Sequence, residues 1–168
     1  SPPGRTLLVA PTHEQVRLVF DRLTELLGEC AERLGWFEGA RATVSPHPRL
    51  EVGGHVVDAR SGHVPRHLRG RQADRIVVDE AAFVRDELLN DVLWPMLATT
   101  GGSFTLLSTP NGFGPFWDLF RMGREGRGGV WSRAAPSREN PLVRPDFLDG
   151  QRAMTTDRAY RTEYEAEF

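Results

Sequence analysis

Short runs of consecutive apolar residues are the first pattern along the chain. Because most of their central residues are hydrophobic in succession rather than only at alternate positions, these runs are typical of strands buried on both faces of a sheet. Strands of this kind are predicted at residues 5–10, 75–78 and 103–108. Residues 130–134 are predicted to form a last strand.

A hairpin is predicted within residues 41–60. Residues 49–52 and 55–59 favour extended structure and flank Gly53 and Gly54. A two-residue loop of glycines is a strong turn signal, because both positions of the favoured hairpin turn need a positive φ.

Helical stripes, with apolar residues three or four positions apart, separate the strands. The longest begins after Thr12, where Gln15 completes a capping box, and ends at Gly35. Three further helices are predicted: 88–97, which Pro95 would kink or shorten; 115–122; and a C-terminal helix with Tyr160, Tyr164 and Phe168 on one face. Strands that alternate with helices predict an α/β fold, a mainly parallel sheet covered on both faces.

The composition is that of a folded domain. With 168 residues, 39% hydrophobic and 26% charged, the chain is too apolar for a disordered tail and long enough for one core. No apolar run approaches the roughly 18 residues that span a bilayer, and no signal peptide is evident. The single Cys30 cannot form an internal disulfide. A net charge of −2 neither favours nor excludes nucleic acid as a partner.

Lysine is absent, since all 21 basic residues are arginine. The chain therefore cannot itself supply a Schiff-base lysine or the phosphate-binding lysine of a P-loop. It also begins at Ser1 without a methionine and ends at Phe168 inside a helical pattern, so both ends are expected to be cut.

Two carboxylates follow the strand predicted at 75–78. Asp79 and Glu80 would lie at the sheet edge where α/β proteins bind ligands. In nucleotide hydrolysis the first can hold Mg²⁺, directly or through water, while the second polarises the attacking water. The alternative is that the pair only caps the following helix, where the dipole favours negative charge.

Two hydroxyl residues, Ser108 and Thr109, end the next apolar run in the same manner. If the two strands are neighbours, these hydroxyls lie beside the carboxylates and can sense a γ-phosphate through a hydrogen bond. The alternative is an ordinary exit from a strand, with Pro110 as the stop.

A loop rich in glycine and arginine precedes the carboxylates, at residues 61–74. Its candidate donors are Arg66, Arg69 and Arg71. A guanidinium is a forked donor suited to phosphate oxygens, and an arginine finger stabilises the charge of a phosphoryl-transfer transition state. The alternative is a solvated surface loop. Spacing alone does not choose among the three.

Six segments occur in an order that resembles the ATPase domain of the phage terminase large subunit, the motor that packages double-stranded DNA. They are RTLLVAPTHEQ at 5–15, LRG at 68–70, IVVDEAAF at 76–83, LSTPNG at 107–112, ENP at 139–141 and RTEYEAEF at 161–168. Each is weak alone, but their joint order spans nearly the whole chain.

The resemblance implies a P-loop ATPase of the additional-strand, catalytic-glutamate type. In that family Asp79 would hold Mg²⁺ at the end of the Walker B strand and Glu80 would be the catalytic base. Ser108 and Thr109 would be the coupling motif, and Arg69 the arginine inserted into a neighbouring subunit's site. The implied cofactors are ATP and Mg²⁺.

The implied partners are double-stranded DNA, the portal protein, the small terminase subunit and neighbouring copies in a ring. The implied location is the host cytoplasm, with no membrane. The Walker A segment would precede residue 5 and the nuclease domain would follow Phe168, so residues 1–168 would be part of one ATPase domain, without its phosphate cradle.

Two other interpretations of the sequence remain open. A superfamily-two helicase fragment also has an Asp-Glu strand end, but it needs a pair such as Ala-His next, whereas Ala81, Ala82 and Phe83 follow here. A degenerate, non-catalytic assembly module would explain the missing lysine if the chain is complete in nature.

Overall fold

The computed structural model describes residues 4–35 and 39–168. The chain divides into two compact units, Ser1–Leu107 and Ser108–Phe168. The first unit contains the sheet and most of the buried hydrophobic residues, whereas the second is built from short helices.

The first unit contains a six-stranded sheet. Its strands are β1 (Arg5–Ala10), β2 (Arg41–Thr43), β3 (Arg49–Val52), β4 (His55–Ser61), β5 (Arg75–Val78) and β6 (Ser103–Leu106). The strand order is β2-β3-β4-β1-β5-β6. Strands β4, β1, β5 and β6 run parallel to one another, whereas β3 pairs antiparallel with both β2 and β4. The prediction of a mainly parallel sheet is confirmed.

The predicted hairpin is also confirmed. Strands β3 and β4 pair across Gly53 and Gly54, whose φ values of 55° and 81° are both positive. Such a turn matches the right-handed twist of the two strands. Strand β2 pairs with β3 and makes the hairpin a three-stranded meander.

The long helix α1 (His13–Leu34) covers one face of this sheet. The Thr12 hydroxyl accepts from the Gln15 backbone N–H at 3.2 Å, and Gln15 reciprocates, so the predicted capping box is present. Gly35 ends the helix with φ 64°. Buried Val16 and Phe20 belong to a core cluster that includes Leu50 and Ala59 of the sheet.

The predicted helix at 88–97 has a different geometry. Leu88–Leu93 form a π-helical segment that continues into the short α2 (Trp94–Met96). The Trp94 backbone N–H donates to the Leu89 carbonyl, five residues earlier, directly before Pro95, which has no N–H to continue an α-helical ladder. A Cβ added to Gly62 would lie 2.4 Å from a Leu88 methyl and 3.3 Å from a Val9 methyl, so this segment lies on the side of β1 away from α1.

The second unit contains α3 (Pro115–Arg124), α4 (Pro145–Met154) and α5 (Asp157–Glu165). The strand predicted at 130–134 is wrong, because this segment has no strand structure. Its Ser132 hydroxyl donates to the Phe120 carbonyl at 2.7 Å, so the segment is tied to α3 rather than to a neighbouring strand.

The C-terminal helix ends earlier than the apolar spacing predicts. Ala166 terminates α5 with a left-handed φ of 54°. Tyr160 and Tyr164 share a face, with ring centroids 5.2 Å apart. Phe168 lies beyond the helix, and its ring packs 4.6 Å from Trp117 on α3. The prediction that all three aromatic residues share one helix face is therefore wrong for Phe168.

Candidate functional site

The first unit brings four parallel strand ends to one edge of the sheet, because β4, β1, β5 and β6 all point the same way. Asp79 is the first residue after β5, and its backbone N–H donates to the Val9 carbonyl at 2.8 Å. Both Asp79 and Glu80 are half-buried. The two carboxylates thus occupy the edge at which parallel α/β sheets bind ligands.

Glu80 has an unusual backbone conformation. Its φ of 50° and ψ of 45° lie in the left-handed region, which a residue with a Cβ rarely adopts. The adjoining Ala81 N–H donates to the Leu107 carbonyl at 2.9 Å, which ties the turn to the extension of β6. Strained residues of this kind cluster at functional sites, because the surrounding structure must over-determine them.

The helix-capping interpretation of the two carboxylates is not supported. A single 3₁₀ turn, Ala81–Phe83, follows Glu80, and the Glu80 side chain makes no capping hydrogen bond to it. A turn of three residues also has little macrodipole for a carboxylate to stabilise. The position and backbone of Glu80 therefore favour a role outside the local fold.

The strain at Glu80 leads to a stability prediction. At an ordinary position glycine is less stable than alanine by about 0.5–1 kcal/mol. At position 80 we expect the opposite, with Glu80→Gly more stable than Glu80→Ala by about 1 kcal/mol, because glycine adopts the left-handed conformation without penalty. Both variants lose the carboxylate, so the comparison isolates the backbone. Urea unfolding measures the difference, and an alanine variant as stable as the glycine one would contradict it.

The two strands carrying the candidate polar residues are neighbours, as the hydrolysis hypothesis requires. Strand β6 pairs in parallel with β5, and the Leu107 N–H extends the ladder to the Val78 carbonyl at 2.9 Å. Ser108 and Thr109 follow directly and open the second unit. Their proposed contact with the nucleotide stays a prediction.

The arginine loop is anchored by its apolar neighbours. Leu68 is 1% exposed, and a Cβ on Gly62 would lie 2.4 Å from a Leu88 methyl, so the loop packs closely against the π-helical segment. Arg69 projects from this anchored base with 57% of its side chain exposed. Gly70, next in the chain, takes φ 80° and turns the backbone away.

Glu87 is a partner of Arg69 that the sequence analysis missed. Its Oε1 lies 3.6 Å from Arg69 Nη2, and about half of its side chain is exposed. An exposed pair at this distance contributes about 0–1 kcal/mol, so the guanidinium is readily released. Eighteen positions separate the two residues, and only the packing of the loop on the π-helical segment brings them together.

The carboxylates at the sheet edge could supply only part of the coordination shell of a Mg²⁺ ion. The described residues contain no group of three or more histidine, cysteine, aspartate or glutamate side chains placed to hold a metal. In nucleotide sites Mg²⁺ commonly takes one or two carboxylates and completes its shell with water and substrate phosphates. The assignment of Asp79 as such a ligand stays a prediction.

The fold is that of the ATPase domain of phage large terminases. The ATPase domain of the Thermus phage P74-26 large terminase superimposes with a TM-score of 0.76, at 23% identity, over 99% of this chain and 77% of that one. A large terminase of a thermophilic bacteriophage, in complex with ATP-gamma-S, superimposes with a TM-score of 0.75 at 12% identity. It is matched over 98% of this chain and 39% of its own.

The sequence is similar to that of the large terminase subunit of Thermus virus P23-45, at 26% identity over 99% of this chain. The chain spans about 40% of the length of that relative. No protein-family model matches it. The resemblance to terminase large subunits is thus confirmed. Among the described residues no helix is long and apolar enough to cross a bilayer.

Proposed function

We propose that this chain is the part of a DNA-packaging ATPase that carries the Walker B carboxylates, the coupling residues and an arginine finger of a phage terminase large subunit. The observation that carries the proposal is the strained Glu80, beside Asp79, at the ligand-binding edge of a sheet with the large-terminase fold. Strained residues cluster at functional sites and this edge is where α/β sheets bind ligands, so both observations support a chemical role for Glu80.

The carboxylates would divide the work of hydrolysis. Asp79 would hold Mg²⁺, which neutralises charge on the nucleotide phosphates. Glu80 would orient the attacking water and accept its proton, and the bond from the adjoining Ala81 N–H to the Leu107 carbonyl supports this role by holding the turn against the extension of β6. Ser108 and Thr109 would sense the γ-phosphate and transmit its loss to the second unit.

We propose that the phosphate-binding segment comes from another part of a longer protein, because this chain has no lysine. Strand β6 is an edge strand in the described sheet, and Leu107 beside it is 53% exposed. An edge strand presents a row of unpaired backbone N–H and C=O groups that can pair with a further strand. We therefore propose that a further parallel strand pairs with β6 and places its phosphate loop near Asp79.

The partners follow from the packaging role. The protein would hydrolyse ATP and translocate double-stranded DNA. The portal protein, the small terminase subunit and neighbouring copies of the chain would complete the packaging complex. We propose the host cytoplasm as its location. The fold similarity favours this role over a superfamily-two helicase, whereas a degenerate assembly module stays the second candidate because of the missing lysine.

The chain by itself is expected to bind ATP weakly and to hydrolyse it negligibly, because a lysine and a glycine-rich amide cradle supply most contacts to the β- and γ-phosphates. Titration with a fluorescent ATP analogue and a phosphate-release assay measure the two quantities. A longer protein with an upstream Gly-x-x-x-x-Gly-Lys-Ser/Thr segment is expected to restore both. Failure of that protein to hydrolyse ATP would favour the assembly module. Robust Mg²⁺-dependent turnover by the chain alone would overturn the proposed architecture.

A further inference from the structure

The antiparallel part of the sheet has two faces of different character. On the face covered by α1, Leu50 and Val57 pair across the strands and pack with the helix. Because successive side chains of a strand point to opposite faces, the chain neighbours of Leu50 and Val57 lie on the face away from α1. Register pairs place Arg41 beside Glu51, and Arg49 beside Asp58.

We call this opposite surface the arginine face. It consists of Arg5, Arg41, Arg49, Arg60, Glu51 and Asp58. Arg60 lies two residues from Asp58 on β4, and Arg5 lies two residues from Leu7, the β1 neighbour of Asp58, so both project to the same side. The helix α1 packs on the other side of these strands, and Arg5 and Arg49 keep 48% and 38% of their side chains exposed.

The arginine face is positive although the chain as a whole is negative. Four arginines against two carboxylates leave two positive charges, whereas the chain carries −2. Asp58 is 3% exposed and lies 3.2 Å from Arg60, 3.4 Å from Arg49 and 3.8 Å from Arg5. The buried Asp58 carboxylate is thus paired with three guanidinium groups, and its single negative charge balances only one of their three positive charges.

The excess charge is not fully compensated inside the protein. The Arg60 Nε is buried and, among the described residues, has no hydrogen-bond partner. Burial lowers the pKa of Arg60, and the nearby Arg71 and Arg49 lower it further. Partial desolvation, followed by the charges of Arg60, Arg71 and His13, also lowers the pKa of His47 in the loop before β3. Arg71 and His47 therefore lie close enough to the arginine face to interact with it electrostatically.

We propose that the arginine face is a contact surface for the phosphate backbone of double-stranded DNA. Guanidinium groups bind phosphate oxygens in a forked geometry, and several side by side on adjacent strands suit a row of phosphates. Charged side chains aligned on adjacent strands match contacts that position a duplex without reading its sequence. The choice of duplex DNA rests on the proposed packaging function.

The test measures binding of a fluorescently labelled DNA duplex to the chain, without nucleotide, over a salt series from about 50 to 200 mM. The test variant is Arg41→Gln with Arg49→Gln. Its matched control is Arg17→Gln with Arg22→Gln on α1, because those arginines also pair with acidic neighbours, at 2.7 and 2.8 Å, but lie on the other side of the sheet.

We expect the test variant to lower the slope of log K against log salt by about 1.8, since each phosphate contact contributes about 0.9. The control pair should leave the slope unchanged. Lysine at positions 41 and 49 should restore the slope, because it restores the charge. Circular dichroism and thermal unfolding report whether the double variant folds. If it does not, Arg41→Gln alone, at an exposed position, should lower the slope by about 0.9.

Three results would overturn the inference: no duplex binding by the unaltered chain at low salt, an equal loss in the control variant, or equal competition by polyglutamate, which would indicate an acidic protein partner. None of them bears on hydrolysis. Conversely, a longer protein that fails to hydrolyse ATP while the chain still binds DNA through Arg41 and Arg49 would remove the proposed ATPase role and leave the DNA surface standing.

Discussion

Replacing Arg69 by alanine in the longer, ring-forming protein is expected to reduce ATP hydrolysis about 10³–10⁵-fold. The physical reason is that charge gathers on the γ-phosphate in the transition state, where a well-placed guanidinium stabilises it. Arg69 is 57% exposed, on a loop anchored through Leu68. Folding and ATP affinity should therefore remain nearly unchanged, as thermal unfolding and nucleotide titration would show.

Mixed rings distinguish action across a subunit boundary from action within one subunit. Arg69→Ala subunits combined with Glu80→Ala subunits should regain some hydrolysis, because a complete site forms from the intact Glu80 of one and the intact Arg69 of the next. A finger that acts within its own subunit gives no such recovery. The matched controls are Arg66→Ala and Arg71→Ala in the same loop. If one of them abolishes hydrolysis while Arg69→Ala does not, the role belongs to that neighbour.

Replacing Glu80 by glutamine in the same longer protein is expected to lower kcat about 10²–10⁴-fold, the usual contribution of a general base. Glutamine keeps the size of the side chain but cannot accept the proton of the attacking water. Because Asp79 would still hold Mg²⁺, ATP should bind with nearly unchanged affinity. Single-turnover phosphate release, together with nucleotide titration, separates the chemical step from binding.

The matched control for Glu80→Gln is Glu32→Gln on the exposed side of α1, which should leave kcat unchanged. A Glu80→Gln protein that hydrolyses ATP at the normal rate would show that another group acts as the base. A weaker ATP affinity with an unchanged kcat would instead assign Glu80 to ground-state binding, because the loss of uniform binding raises KM and leaves kcat unaffected.

Local signals predicted the elements that depend on neighbouring residues. The capping box of Thr12 and Gln15, the Gly35 terminus and the Gly53–Gly54 turn all formed as expected, because each requires only contacts within a few positions. The π-helical segment was not predictable from apolar spacing, since buried leucines at 88, 89 and 93 suit more than one helical geometry.

Predictions failed where a distant contact decided the structure. Residues 130–134 have strand-like composition, but Ser132 bonds to α3 and no neighbouring strand pairs with the segment. Phe168 fits the spacing of a helix face, yet the left-handed Ala166 ends α5 and the ring packs on Trp117 instead. Propensity and periodicity carry no information on such partners.

The sequence by itself determined which polar residues follow the apolar strands: Asp79 and Glu80 after one, and Ser108 and Thr109 after another. It also determined that the chain has no lysine of its own for a phosphate loop, whereas the chemical roles of these residues stay predictions. Only the tertiary structure decided that β5 and β6 are neighbours, that Glu80 is held in a left-handed conformation and that Arg69 meets Glu87. It alone also assembled Arg5, Arg49 and Arg60 around Asp58. The reason is physical: strand order and register are set by long-range hydrogen bonds and packing, which bring together side chains that are far apart in the sequence.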